Sequence, residues 1–119
     1  MSAIELFNKN LVQFLDNLSK ILSNDYYSKL IDEKKLNMNK ILFLKNDILI
    51  ELFNNNIYEY KDNILKEDIS ILPIINELEL FNGLDIKSIL ENMSDKNKSI
   101  FWNYMKAFIL LCEKHYFTL

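Results

Sequence analysis

The sequence predicts an all-α fold, a compact bundle of about five to six helices, and three observations predict it. Apolar residues recur at spacings of three and four along most of the chain, the period of a helix buried along one face. Half of the 119 residues are hydrophobic and 26% are charged, a globular rather than a disordered composition. One glycine and one proline exclude collagen-like, linker-like and glycine-rich phosphate-loop architectures.

The first element has the cleanest period. Ile4, Phe7, Leu11, Phe14, Leu15, Leu18, Ile21 and Leu22 form one helical stripe, with Ser2 as its cap and Glu5 completing a capping box. Ser23-Asn24-Asp25 reads as a stop and a new start. Tyr26, Tyr27, Leu30 and Ile31 fit a short second helix capped by Asn24 or Asp25, and Asp32-Glu33-Lys34-Lys35 reads as a solvated turn. A third helix is expected from Asn37 to the Asn54-Asn55-Asn56 run, with one apolar row at Ile41, Leu44, Ile48 and Leu52 and another at Leu42, Leu49 and Phe53. So wide a stripe suggests a central helix.

Residues 57–72 carry mixed signals. Ile57, Tyr60 and Ile64 fit a helix, whereas Ile69 and Ile71 alternate with Asp68 and Ser70 as in a strand. A short helix through about Leu65, followed by a bend, reconciles them. Pro73 belongs in the first turn of a further helix carrying Ile74, Ile75, Leu78 and Phe81. Asn82-Gly83 is the strongest turn in the chain, with Gly83 where a left-handed terminator is wanted. Asp85 is placed to cap a short helix through Ile86, Ile89, Leu90 and Met93. Ser94 or Asp95 caps the last helix, which runs to about His115 and is apolar nearly all round in its second half; it too should be central or bound to a partner. With no internal repeat and no linker, residues 1–119 read as one domain.

Composition narrows the source and the chemistry. There are 20 Leu, 16 Ile, 16 Asn and 14 Lys, no Arg and only two Ala, a bias that codons of an AT-rich genome would produce. The net charge of −3 disfavours a phosphate-binding surface, and the absence of arginine removes the commonest reader of guanine. No apolar run approaches the roughly 18 residues of a membrane span. Met1-Ser2-Ala3-Ile4-Glu5 has no basic region ahead of a long apolar one, so the expectation is an intracellular, unsecreted protein.

Reactive groups are few. Cys112 and His115 are the only residues of their kinds and sit three apart on one helix. That spacing rarely aims an imidazole at a thiol, and a helix C-terminus raises a thiolate's pKa; Cys112 therefore reads as a small core hydrophobe. No metal-ligand spacing occurs, Glu113 and His115 pointing to different helix faces. The carboxylates Glu77/Glu79 and Asp62/Glu67/Asp68 read as solvated faces. The expectation is no enzyme, no cofactor and no metal.

The 15 aromatic residues gather at Tyr26-Tyr27, at Tyr58 and Tyr60, and at Phe101-Trp102 with Tyr104. They suit a core with an amphipathic rim at a protein interface. Tyr58 and Tyr60 cannot face one way on a helix, so one of them is expected to be exposed. Phe101, Trp102, Tyr104, Ile109 and Tyr116 are the expected partner-binding residues. Lysines around 34–45 and 96–106 leave an alternative, a nucleic-acid-associated factor.

Leu80-Phe81-Asn82-Gly83-Leu84-Asp85-Ile86-Lys87, then Ser94-Asp95-Lys96-Asn97-Lys98 and Ile100-Phe101-Trp102 with Tyr104-Met105, resembles a family of small helical proteins of large nucleocytoplasmic DNA viruses. Phe7-Asn8 with Asn10, Phe14-Leu15 and Leu18 looks like that family's opening helix; Asn17 departs from it where an acidic residue is expected. The resemblance implies a viral helical protein without catalytic residues that acts through protein–protein interaction, as a homo-oligomer or within a larger viral assembly. It further implies the host cytoplasm, a viral factory or the virion as its location. Capture of a host amphipathic helix in a groove is a further alternative.

Overall fold

The computed structural model describes residues 1–22, 25–78, 81 and 83–117, with the side chain of Asp25 left aside. Seven α-helices account for most of them: α1 (Ala3–Ile21), α2 (Asp25–Leu44), α3 (Ile48–Asn56), α4 (Lys61–Leu65), α5 (Leu72–Asn76), α6 (Ile86–Glu91) and α7 (Asp95–Tyr116), with 3-10 turns at Tyr58–Tyr60 and Ile69–Ile71. No strand occurs among the described residues. The all-α class holds, with one helix more than the upper expectation.

α1 and α7 form the spine. Ser2 Oγ accepts from Glu5 N–H at 3.2 Å and Ser94 Oγ accepts from Asn97 N–H at 3.2 Å, so both long helices begin on serine caps. The predicted stripe of α1 is buried at Phe7, Leu11, Phe14, Leu15 and Leu18, and packs along α7 in the most extensive pairing of the molecule. Their rings interlock: Phe14 meets Phe101, Tyr104 and Phe108 at centroid distances of 5.8, 5.4 and 6.0 Å, and Phe7 meets Phe108 at 5.1 Å. Offset and edge contacts of this kind add to the area buried. Asp85 caps α6 through Ser88 N–H at 3.2 Å. The short helix expected up to about Leu65 ends there.

The middle of the chain departs from expectation. Asp32-Glu33-Lys34-Lys35 is no turn: α2 passes straight through it. Glu and Lys are good helix formers, and neither glycine nor proline is present to break the run. The buried stripe of α2 crosses these residues, from Ile31 to Met38, with Lys34 and Lys35 half-buried between them and Lys35 ion-paired to Asp16 of α1. Their alkyl stems cover apolar surface while the ammonium groups reach out.

The true break lies at Lys45-Asn46-Asp47. Asn8 of α1 donates to Asn46 O at 2.8 Å, and Lys45 pairs with Glu51 at 3.0 Å. One predicted helix thus becomes the end of α2 and all of α3. The expected central position is correct for α7 and for the buried face of α3 (Leu49, Ile50, Phe53), but not for residues 41–44. Phe43 is 90% and Leu44 84% exposed. The second spine helix is α1 instead.

Candidate functional site

Between the C-terminal half of α2 on one side and α3, the first 3-10 turn and α5 on the other lies a groove of about 620 Å³. Its floor is core: Phe7 and Leu11 of α1, Met38 of α2, Phe53 of α3 and Phe108 of α7 are buried. Phe81 closes the floor at one end. Ile41 of α2 and Leu52 of α3 form partly exposed lips, and Ile74 and Leu78 are half-buried along the opposite wall. The polar rim consists of Lys34 and Asn37 on α2, Asn56, Glu59 and Tyr60 beyond it, and Glu77 after α5. A cleft of this size with an apolar lining and a few polar groups at its rim is the molecule's candidate binding site.

α2 has 20 residues, a span of about 30 Å, against 19 in α1, and beyond its end the chain reverses at Lys45-Asn46-Asp47 into the nine-residue α3. Two helices splayed from one corner leave a trough that only side chains fill. The opposite wall is fixed by Asn76, whose Oδ1 accepts from Ile86 N–H at 3.0 Å, and by the turn in which Leu84 N–H donates to Phe81 O at 3.0 Å. Gly83 sits in that turn with φ of +87°, in the left-handed region as expected, while Asn82 lies outside the described residues. The Asn24 half of the expected α2 cap lies outside them too.

The residues expected to bind a partner are placed otherwise. Phe101, Trp102 and Ile109 are buried in the chain's own core, with Trp102 only 4% exposed and edge-on to Phe101 at 5.2 Å. Most of the apolar surface of α7 is covered by α1, α3 and α4, with Leu110 left exposed, so Phe101, Trp102 and Ile109 offer no free surface on the single chain. Tyr104 is half-buried and receives a hydrogen bond from Asn17. Tyr116 is 39% exposed, and loss of hydration followed by the charges of Glu51 and Asp47 raises its phenol pKa. The tyrosines 58 and 60 are both half-buried, not one in and one out, because a 3-10 turn replaces the helix there. Tyr58 stacks on Phe117 at 5.0 Å and donates to Glu113 Oε1 at 3.1 Å, while Tyr60 lines the groove.

Several titratable groups outside the groove lining are shifted by their neighbours. Lys61 bonds to Glu113 and, with Tyr58, holds that carboxylate below its ordinary pKa while tying α4 to α7. Asp68 and Asp85 are lowered chiefly by backbone N–H donors at helix starts. Burial pushes the Cys112 thiol up to about 12, and an unionised thiol is a poor nucleophile. Among the described residues no three His, Cys, Asp or Glu side chains gather as metal ligands, and no helix is long and apolar enough to cross a membrane.

Sequence reasoning missed the groove because it broke α2 at the wrong place. The signal was present in the spacing of Tyr27, Ile31, Met38 and Leu42, which is helical only if Asp32–Lys35 is helical as well. Comparison of the chain with protein-family models, with curated proteins and with solved structures gives no match in any of the three.

Proposed function

We propose that this chain is a non-enzymatic interaction protein that receives an amphipathic helix of a protein partner in the groove between α2 and α3. The observation that carries the reading is the trough itself, with a floor of buried aromatic and aliphatic side chains and lips at Ile41 and Leu52 left partly bare. Helix-in-groove recognition uses such a surface, with apolar anchors at i, i+3/i+4 and i+7 in the trough and polar residues along its edges. The reading shifts from the site expected on α7 to the α2–α3 side, and Tyr104 and Tyr116 do not line the groove. The AT-rich composition and the resemblance of the first and last thirds support a source among large DNA viruses and a role inside the infected cell.

Selection of helical peptides against the wild-type chain, with counter-selection against Leu52→Lys, tests the reading. Enrichment of amphipathic sequences that lose at least tenfold in affinity for Leu52→Lys is expected. Enrichment indifferent to that substitution, or none at all, overturns it.

A further inference from the structure

Taking the groove as a helix receptor, we infer that the helix it receives carries lysine or arginine along one edge of its apolar stripe, the edge that lies over Glu59 and Glu77. Two separate elements place these carboxylates on the wall opposite α2. Glu59 stands in the 3-10 turn that follows α3, and Glu77 is the residue that closes α5. Both line the groove and both are exposed.

The chain does not answer these two charges itself. Lysines on the flanks of the groove are engaged elsewhere: Lys35 with Asp16, Lys45 with Glu51 and Lys61 with Glu113. Lys34, on the α2 rim, has its own interaction within the chain, and Lys40 does not line the groove. Glu59 and Glu77 join no ion pair among the described residues. A cleft with one sign of charge along an apolar wall concentrates the potential there, and the net charge of −3 has the same sign. A cationic edge is what complements it.

The trough also fixes which edge must be basic. A helix seated with its apolar stripe on the floor of Phe7, Phe53 and Phe108 turns one flank towards Glu59 and Glu77 and the other towards Lys34 and Asn37. Residues three or four apart on a helix share a flank, so lysines or arginines at that spacing beside the apolar anchors form the edge that meets the carboxylates. Exposed rim pairs add little affinity each. Their effect is to orient the incoming helix and to reject helices with an acidic edge.

A library of amphipathic helical peptides with a fixed leucine stripe and randomised flanks, selected on the full chain, tests it. Enriched peptides are expected to carry lysine or arginine on one flank only. Fluorescence anisotropy then compares an enriched peptide with its Lys/Arg→Glu counterpart on the wild type, on Leu52→Lys and on the double variant Glu59→Lys/Glu77→Lys, with circular dichroism to show that each protein is folded. Charge reversal in the peptide should weaken binding to the wild type by about tenfold, and the double variant should prefer the reversed peptide. Enriched peptides that depend on Leu52 but show no basic flank overturn the inference and leave the helix receptor standing, as does a basic-edged peptide that binds the double variant as well as the wild type. No Leu52-dependent peptide at all removes both.

Discussion

The side-chain amide of Asn17 donates a 2.7 Å hydrogen bond to the hydroxyl of Tyr104, joining α1 to α7 across 87 residues of chain. The bond lies at the edge of the ring cluster around Phe14 and fixes the register in which the two spine helices meet. It requires an amide at position 17: the side chain acts as donor, which a carboxylate could not do. Tyr104→Phe keeps the ring and removes only the acceptor, leaving a part-buried amide without its partner. A loss of about 0.5–1.5 kcal/mol in urea-unfolding free energy is expected. No change on substitution would show that water replaces the bond without cost.

Trp102 separates packing from docking. Because its ring is buried against Phe101, Trp102→Ala is expected to cost about 3–5 kcal/mol of stability through the cavity it leaves. Thermal unfolding would show a large fall in Tm, with peptide binding by the folded fraction unchanged. A small fall in Tm together with lost binding would return the interface to α7.

Burial of Cys112 makes a chemical prediction. Its thiol is held up to about 12 against an ordinary 9.0, first by lost hydration and then by the charge of Glu113. Since the folded value lies above the unfolded one, the thiol's contribution to stability is intact below about pH 9 and is lost between about pH 9 and about pH 12. Stability measured across that window should fall more steeply for the wild type than for Cys112→Ala. At neutral pH, modification by a thiol reagent should proceed at the rate of global opening and no faster. Rapid labelling of the native protein would contradict both expectations.

Gly83 allows a local test. Its φ of +87° lies where L side chains are strained, and an added Cβ would approach Leu30 Cδ2 to 3.1 Å. Gly83→Ala should cost about 1–2 kcal/mol in chemical unfolding, chiefly from the backbone. The Leu30 side chain is flexible enough to yield. Unaltered stability would mean that the Phe81–Leu84 turn can be rebuilt with negative φ.

The sequence was most legible where one signal acted alone. Ser2 and Asp85 cap the helices they were expected to cap, and of the two candidates Ser94 and Asp95 it is Ser94 that caps α7, because a side-chain oxygen three residues ahead of an N–H is a local device. The stripe of α1 was equally plain, since every third or fourth residue from Phe7 to Leu18 is large and apolar. Failure came where tertiary packing overrode a polar run. Asp32–Lys35 resembles a turn by charge, yet it is held in α2 by Asp16 and by the apolar residues on either side. The same misreading hid the groove, whose walls come from residues as far apart as Lys34 and Leu78. On α7 an apolar surface nearly all round was legible, with a central position or a partner as its two possible covers: α1, α3 and α4 supply most of it from within the chain, and Leu110 stays exposed. A one-dimensional pattern shows that a face will be buried without showing by what.

The most direct measurement of the central claim is titration calorimetry of one groove-selected helical peptide against the wild-type chain and against Leu52→Lys. Binding to the wild type with a negative heat-capacity change from buried apolar surface, and at least tenfold weaker binding to the variant, is the expected result. Equal affinity for the two proteins would contradict it, for the peptide would then be held somewhere other than between α2 and α3.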